Sequence, residues 1–225
     1  MIDLFLFGLF PYIAVAVAVA AGLYRYLVDA YSWSSQSSQF LENRLQFWGS
    51  VPWHYAILVI LLAHFLAFLL PSGWGALLGS PGRLYALEIA GMALGLCALV
   101  GVALLMARRA GNARVSAVTS PLDWVLLAAL LLQVATGLYI ALALRWGSFW
   151  YVHSVAPWLW SLVRLDPQVD YLAVMPGVVK LHAVNAFVLI GLFPFTRLVH
   201  IVSVPVTYLW RPFQVVIWNR GQKGS

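Results

Sequence analysis

The stretch Val178-Val179-Lys180-Leu181-His182-Ala183-Val184-Asn185-Ala186-Phe187-Val188-Leu189-Ile190-Gly191-Leu192-Phe193-Pro194-Phe195-Thr196-Arg197-Leu198-Val199-His200-Ile201-Val202-Ser203-Val204 decides how this chain is read. It is apolar almost throughout, yet it carries two histidines, His182 and His200. Their spacing corresponds to about five α-helical turns, so a continuous helix would present both imidazoles on one face, separated along the axis by roughly 27 Å. That distance nearly spans a hydrocarbon core about 30 Å thick. A second apolar stretch, Val51 to Leu70, carries His54 and His64, and the two stretches together hold four of the five histidines in the chain.

Composition agrees with a membrane setting. The chain is 63% hydrophobic and only 9% charged, against about 25% charged residues in ordinary globular proteins. The formal net charge of +6 comes without a basic run or stripe. Nucleic acid is therefore not an expected partner, and the arginines, at the ends of apolar segments, read as topology signals and lipid contacts. Cys97 is the single cysteine, which excludes a disulfide framework, a thiolate cluster and covalent haem attachment. The N-terminus lacks a basic flank and reads as the start of a first span rather than a cleaved signal peptide.

Five spans are predicted, at about 4–27, 51–70, 83–107, 121–144 and 178–204, giving an all-α integral membrane protein with a single membrane domain over 1–225. Pro52 and Pro71 are expected to punctuate the ends of the second span, with a short loop over Pro71 to Gly82. Thr119-Ser120-Pro121 reads as an N-cap followed by proline at the first helical position, and Pro194 predicts a bend. The aromatic-rich segment 145–177 is expected along the outer interface. The polar connection Asp29 to Ser50 reads as a docking surface, and 205–225 as a cytoplasmic tail. Nine of the thirteen lysines and arginines fall on the face that holds the C-terminus, which places that terminus in the cytoplasm and the N-terminus outside.

With this topology the second and fifth spans are antiparallel, so His54 lies level with His200 and His64 with His182. Two neutral imidazoles fill both axial positions of one iron. Ionisable groups at membrane depth are rare and point to function. Four of them in two pairable sets suggest two haems clamped between these spans. They would act as electron carriers with no open coordination site. The competing reading of each ring is an interhelical hydrogen-bond donor. His153, in the outer aromatic segment, reads as a surface or interface residue.

The run Phe193-Pro194-Phe195-Thr196-Arg197-Leu198-Val199-His200-Ile201-Val202-Ser203-Val204-Pro205-Val206 closely resembles the end of the last helix in the gamma, cytochrome b, subunit of membrane-bound respiratory nitrate reductase. Pro11-Tyr12-Ile13-Ala14, Ser37-Ser38-Gln39 and the spacing of His54 and His64 are also similar. The resemblance implies two haem b groups, held by His54/His200 on the inner side and His64/His182 on the outer. It implies oxidation of membrane quinol near the outer face, with protons released there, and electron delivery to an iron–sulfur beta subunit. That subunit would feed a molybdenum-containing alpha subunit where nitrate is reduced, in a prokaryotic cytoplasmic membrane. No nitrate-reducing residue is expected in this chain.

Near the start of the third span the family carries a lysine linked to quinol binding, and the basic residue here is Arg83. Arginine can donate hydrogen bonds to a quinone oxygen but does not readily lose a proton. Glu88, one turn further in, is a candidate acceptor for a quinol proton, or an interfacial carboxylate paired with Arg83. Arg197, Arg109 and Arg108 are candidates for the carboxylates of the inner haem, or ordinary anchors on the positive side. Asn185, one turn from His182, could bond near the outer haem or contact a neighbouring helix. Two other functions compete with this one: a related cytochrome b serving a sulfur-compound or heterodisulfide reductase, and a haem-free membrane scaffold or transporter.

Overall fold

The computed structural model describes residues 1–28 and 39–202. The first part of the polar connection after the first span, residues 29–38 with Ser37 and Ser38, and the tail 205–225 lie outside the described residues. Five helices are long and apolar enough to cross a membrane: α1 (Ile2–Val28), α2 (Arg44–Leu69), α3 (Pro81–Gly111), α4 (Pro121–Ala143) and α5 (Gly177–Phe195). Among the described residues there is no strand. Their arrangement is serial, with α2 packed on α3, α3 on α4, α4 on α5 and α5 on α1. Helices α2, with His54 and His64, and α5, with His182, are not packed against each other along their lengths, and His200 follows α5 in the turn Arg197–Ile201.

Small residues let the helices approach closely, as expected where lipid offers no hydrophobic drive for helix association. Along the α2–α3 seam Ala56 and Ala98 are buried. A Cβ added to Gly101 would lie 2.8 Å from the Gly49 carbonyl oxygen and 2.9 Å from Trp53 Cβ. Trp53, Val102, Leu127 and Val134 complete this core. Helices α1 and α5 run side by side in the same direction. Lys180 Nζ lies 3.7 Å from Asp3 at one end, and the Arg25 guanidinium donates to the Pro194 carbonyl at the other.

The boundaries differ from expectation in instructive ways. Helix α2 begins at Arg44, so Pro52 lies inside it rather than in its first turn. The start is set by Glu42, whose carboxylate accepts from the N–H groups of Leu45 (2.8 Å) and Gln46 (3.2 Å). The expected loop after Pro71 is instead an eight-residue helix, Pro71–Leu78, with Pro71 at its first position. Ser120 does cap α4, in a reciprocal capping box with Asp123. The α-helical part of the fifth span stops at Leu192. Phe193–Phe195 and Arg197–Ile201 continue as 3₁₀ turns, because Pro194 cannot extend the α-helical ladder.

Segment 145–177 is folded and packed onto the helices. It contains the helices Gly147–Trp150 and Ala156–Val163 joined by a π turn, Tyr151–Val155. It is stitched onto carbonyls that helix interruptions leave open. Pro11 has no N–H for the Phe7 carbonyl, and the Trp158 indole N–H donates there at 2.9 Å. Helix α2 breaks before Pro71, and the Phe68 carbonyl accepts from Trp160 Nε1 at 2.9 Å, with the two rings stacked. In the other direction, the Tyr12 hydroxyl donates to the Leu162 carbonyl at 2.9 Å, near the end of Ala156–Val163. Trp158, Phe7, Leu162, Leu172 and Val179 form a second buried core beneath these bonds.

The Gly49–Gly101 crossing leaves no room for a methyl group against backbone. Gly101→Ala is expected to destabilise the detergent-solubilised protein by about 1–3 kcal/mol. Gly91→Ala, where nothing lies within 4 Å of an added Cβ, should leave the thermal midpoint near that of the parent. Equal midpoints for the two variants would contradict the packing described.

Candidate functional site

Three of the four intramembrane imidazoles are tied in the same way. His54 Nδ1 lies 2.7 Å from the Ser50 carbonyl oxygen, and His64 Nδ1 lies 2.8 Å from that of Ile60, each one turn back along α2. His200 Nδ1 lies 2.6 Å from the Arg197 carbonyl oxygen within the terminal 3₁₀ turn. A carbonyl only accepts, so Nδ1 carries the proton in all three rings and Nε2 keeps its lone pair. Among the described residues that Nε2 has no hydrogen-bond donor in any of the three.

The rings of His54 and His200 face each other across the space between α2 and the last span, with centroids 5.9 Å apart and planes 68° apart. The antiparallel topology predicts this meeting. Continuous α-helical spacing does not, because His200 is delivered by 3₁₀ turns beyond Pro194. His182, on α5, rests on α4 at Gly137, where a Cβ would sit 3.0 Å from its Cε1. Among the described residues no three His, Cys, Asp or Glu side chains gather into a metal-ion site. The donor chemistry is that of opposed single imidazoles.

Tyr151 packs edge-on against His64, with ring centroids 5.5 Å apart, and its hydroxyl donates to the His64 carbonyl at 3.3 Å. Burial pushes its pKa up to about 12, so the phenol keeps its proton at any physiological pH. His153, in the same π turn, is exposed beside Phe149.

The remaining sequence candidates are placed as follows. Arg197, at the His200 end, grips Asp123 with two bonds of 2.6 and 3.1 Å. Arg109 donates to Thr119 and lies 3.8 Å from the same carboxylate. Arg108 is 2% exposed and binds Glu42 through both the carboxylate and the backbone carbonyl, each at 2.8 Å. At the other end, Arg83 donates to the Leu77 and Ala76 carbonyls, closing the helix Pro71–Leu78. Glu88 accepts from Ser148 N–H (2.9 Å) and Oγ (2.6 Å), fastening the start of Gly147–Trp150. No Arg83–Glu88 ion pair forms among the described residues. Asn185 is buried and donates to the Ala129 carbonyl and to Gln133 on α4. Glu42, Asp123, Gln133 and Thr136 were not singled out in the sequence. Gln133 and Thr136 carry a visible signal as polar residues three apart in an apolar span, and Asp123 as the fourth residue of a capping-box pattern that begins at Ser120.

These features define a class: an all-helical, multi-pass membrane protein whose second and fifth spans bring intramembrane histidines together. The profile of the nitrate reductase gamma subunit family matches residues 3–219, and the chain belongs to that family. It is 33% identical to the nitrate reductase gamma chain of Bacillus subtilis, over 93% of this chain and 96% of that protein. It is 34% identical to the respiratory nitrate reductase 1 gamma chain of Escherichia coli, over 96% and 97%. A nitrate reductase-like protein of Mycobacterium tuberculosis is 32% identical over 90% of this chain, which covers 32% of that longer protein.

The Glu42–Arg108 lock yields a pH signature. The Leu45 N–H, followed by Arg108 and the Gln46 N–H, holds the Glu42 carboxyl below the usual glutamate range against the opposing effect of burial. A depressed carboxyl contributes stability above its unfolded value, about 4.3, and that stability is lost as pH falls through the lower folded value. Thermal melts between about pH 6 and about pH 3 should show a loss that is smaller in Glu42→Gln. Identical pH profiles for parent and variant would show that this lock does not contribute.

Proposed function

We propose that this chain is the dihaem cytochrome b subunit of a quinol:nitrate oxidoreductase. It oxidises membrane quinol near the outer face and delivers electrons across the bilayer to an iron–sulfur beta subunit, which serves a molybdenum-containing alpha subunit. The observation that carries this reading is the His54–His200 pair. Their ring centroids are 5.9 Å apart, and two neutral imidazoles so placed would be able to hold one haem iron between them. The ring tautomers support the same reading, since Nδ1–H bonded to a carbonyl leaves Nε2 as the ligating nitrogen.

His54 and His200 are the proposed ligands of the inner haem, and His64 and His182 those of the outer. Bound there, the haems would supply one-electron carriers. The Nδ1 bonds hold the rings in orientation, and Gly137 gives the His182 ring its place against α4. Arg197 and Arg109, on the His200 side, are the arginines proposed for the haem carboxylates. Arg108 instead serves the junction of α2 and α3.

Quinol is proposed to react at the opposite end, near His64 and His182. Arg83 and Glu88 are its proposed polar groups, each steadied by its bond to neighbouring chain. The distribution of lysine and arginine favours an outer quinol end and a cytoplasmic C-terminus, where the two partner subunits dock.

Reduced-minus-oxidised spectra test the reading. Membranes carrying the parent chain should show b-type bands with two haems per chain. His54→Ala or His200→Ala should each remove about half, His64→Ala or His182→Ala should each remove the other half, and pairing a variant from each set should remove all. Absence of b-type absorption in the parent would defeat the haem assignment. Failure to co-purify with iron–sulfur and molybdenum subunits would defeat the nitrate reductase assignment.

A further inference from the structure

His182 differs from the other three rings in what takes its Nδ1 proton. His54, His64 and His200 each have a backbone carbonyl at Nδ1, which no substitution can remove, and His54 Nδ1 also lies 3.1 Å from the Ser50 hydroxyl. His182 Nδ1 lies 3.0 Å from the Thr136 hydroxyl on α4. Gly137 makes this approach sterically available, since a Cβ there would press on the ring at Cε1.

The direction of each bond follows from its neighbours. Thr136 Oγ1 lies 2.7 Å from the Leu132 carbonyl oxygen and 3.1 Å from that of Gln133. Both can only accept, so the single hydroxyl proton points back along α4 and a lone pair faces His182. On the far side of the ring, Asn185 donates to Gln133 Oε1 at 2.7 Å. That bond turns the Gln133 amide nitrogen toward His182 Nε2, at 3.0 Å. An amide N–H only donates. Both contacts therefore assign the same tautomer, with the proton on Nδ1 and the lone pair on Nε2.

We propose that Thr136 is a positioning residue for the outer pair: its hydroxyl accepts the Nδ1 proton of His182, fixes the ring and tautomer, and lowers the midpoint potential of the haem that His182 holds. This rests on the haem reading given above. The Gln133 contact falls on the nitrogen that would ligate iron, whereas the Thr136 contact falls on the opposite one and is compatible with ligation. An acceptor at the outer nitrogen makes imidazole a stronger donor and favours the oxidised metal. Thr136 is buried, at 7% exposure, so removing its hydroxyl leaves a donor that bulk water does not readily satisfy. The outer pair is thus tunable through one side chain, while His54 and His200 are held by backbone.

Optical redox titration of the assembled complex in membranes tests this with two near-isosteric variants. Thr136→Val should raise the midpoint of one haem and leave the other in place, and Thr136→Ser should return it to the parent value. Repeating the pair in a His54→Ala background, which keeps only the outer haem, assigns the shift. Loss of the outer haem in the valine variant, with retention in the serine variant, would equally support positioning by the hydroxyl. Unchanged midpoints with both haems present, a shift of both haems, or the same change or loss in both variants would overturn the proposal. Absence of b-type haem in the parent would defeat the haem reading, and this inference with it.

Discussion

An imidazole inside an apolar span carries an N–H that lipid cannot satisfy, and that constraint organises this protein. In hydrocarbon every polar group must find its partner within the protein. His54, His64 and His200 solve the problem locally, each bonding a carbonyl three or four residues back. The solution leaves Nε2 pointing away from the parent helix, toward whatever faces it. His182 solves the same problem across a helix interface, through Thr136. The satisfaction of one ring nitrogen and the freeing of the other are here one structural event.

Helix interruptions supply the other half of the design. Proline at position 11 and the helix break before Pro71 leave the Phe7 and Phe68 carbonyls without their ladder partners, and the indoles of Trp158 and Trp160 take them up. Carbonyls that would be defects in an isolated helix become the anchors of the folded segment 145–177. Pro194 ends the α-helical ladder of α5 and converts its continuation to tighter turns. Those turns set the height at which His200 meets His54. A straight α-helix would place the ring by a different rise and rotation.

Charge is kept to the ends. Arg108 reaches from the last turn of α3 to Glu42, whose carboxylate also starts α2, so one acidic residue fixes two helix termini at once. Asp123 does the same for α4 and the final turns, through its capping box with Ser120 and its two bonds to Arg197. Both locks lie at the end where His54 and His200 meet. The opposite end is held mainly by aromatic packing, with Glu88 and Arg83 tying short helices to the frame.

Much of this was legible in the chain itself. Length and hydropathy of each apolar run are local properties, so the five spans followed from sequence alone, as did the capping of α4 by Ser120. The number of spans makes the second and fifth antiparallel, which sets His54 level with His200. What tertiary structure decided is which side chains become partners across gaps in sequence: Glu42 with Arg108, Trp158 with Phe7, Thr136 with His182. A hydrogen bond depends on a few tenths of an ångström between atoms from different helices, and that proximity is fixed by how small residues such as Gly101 and Gly137 let the helices close. Hydropathy sums over residues and survives being read one at a time; partner choice does not.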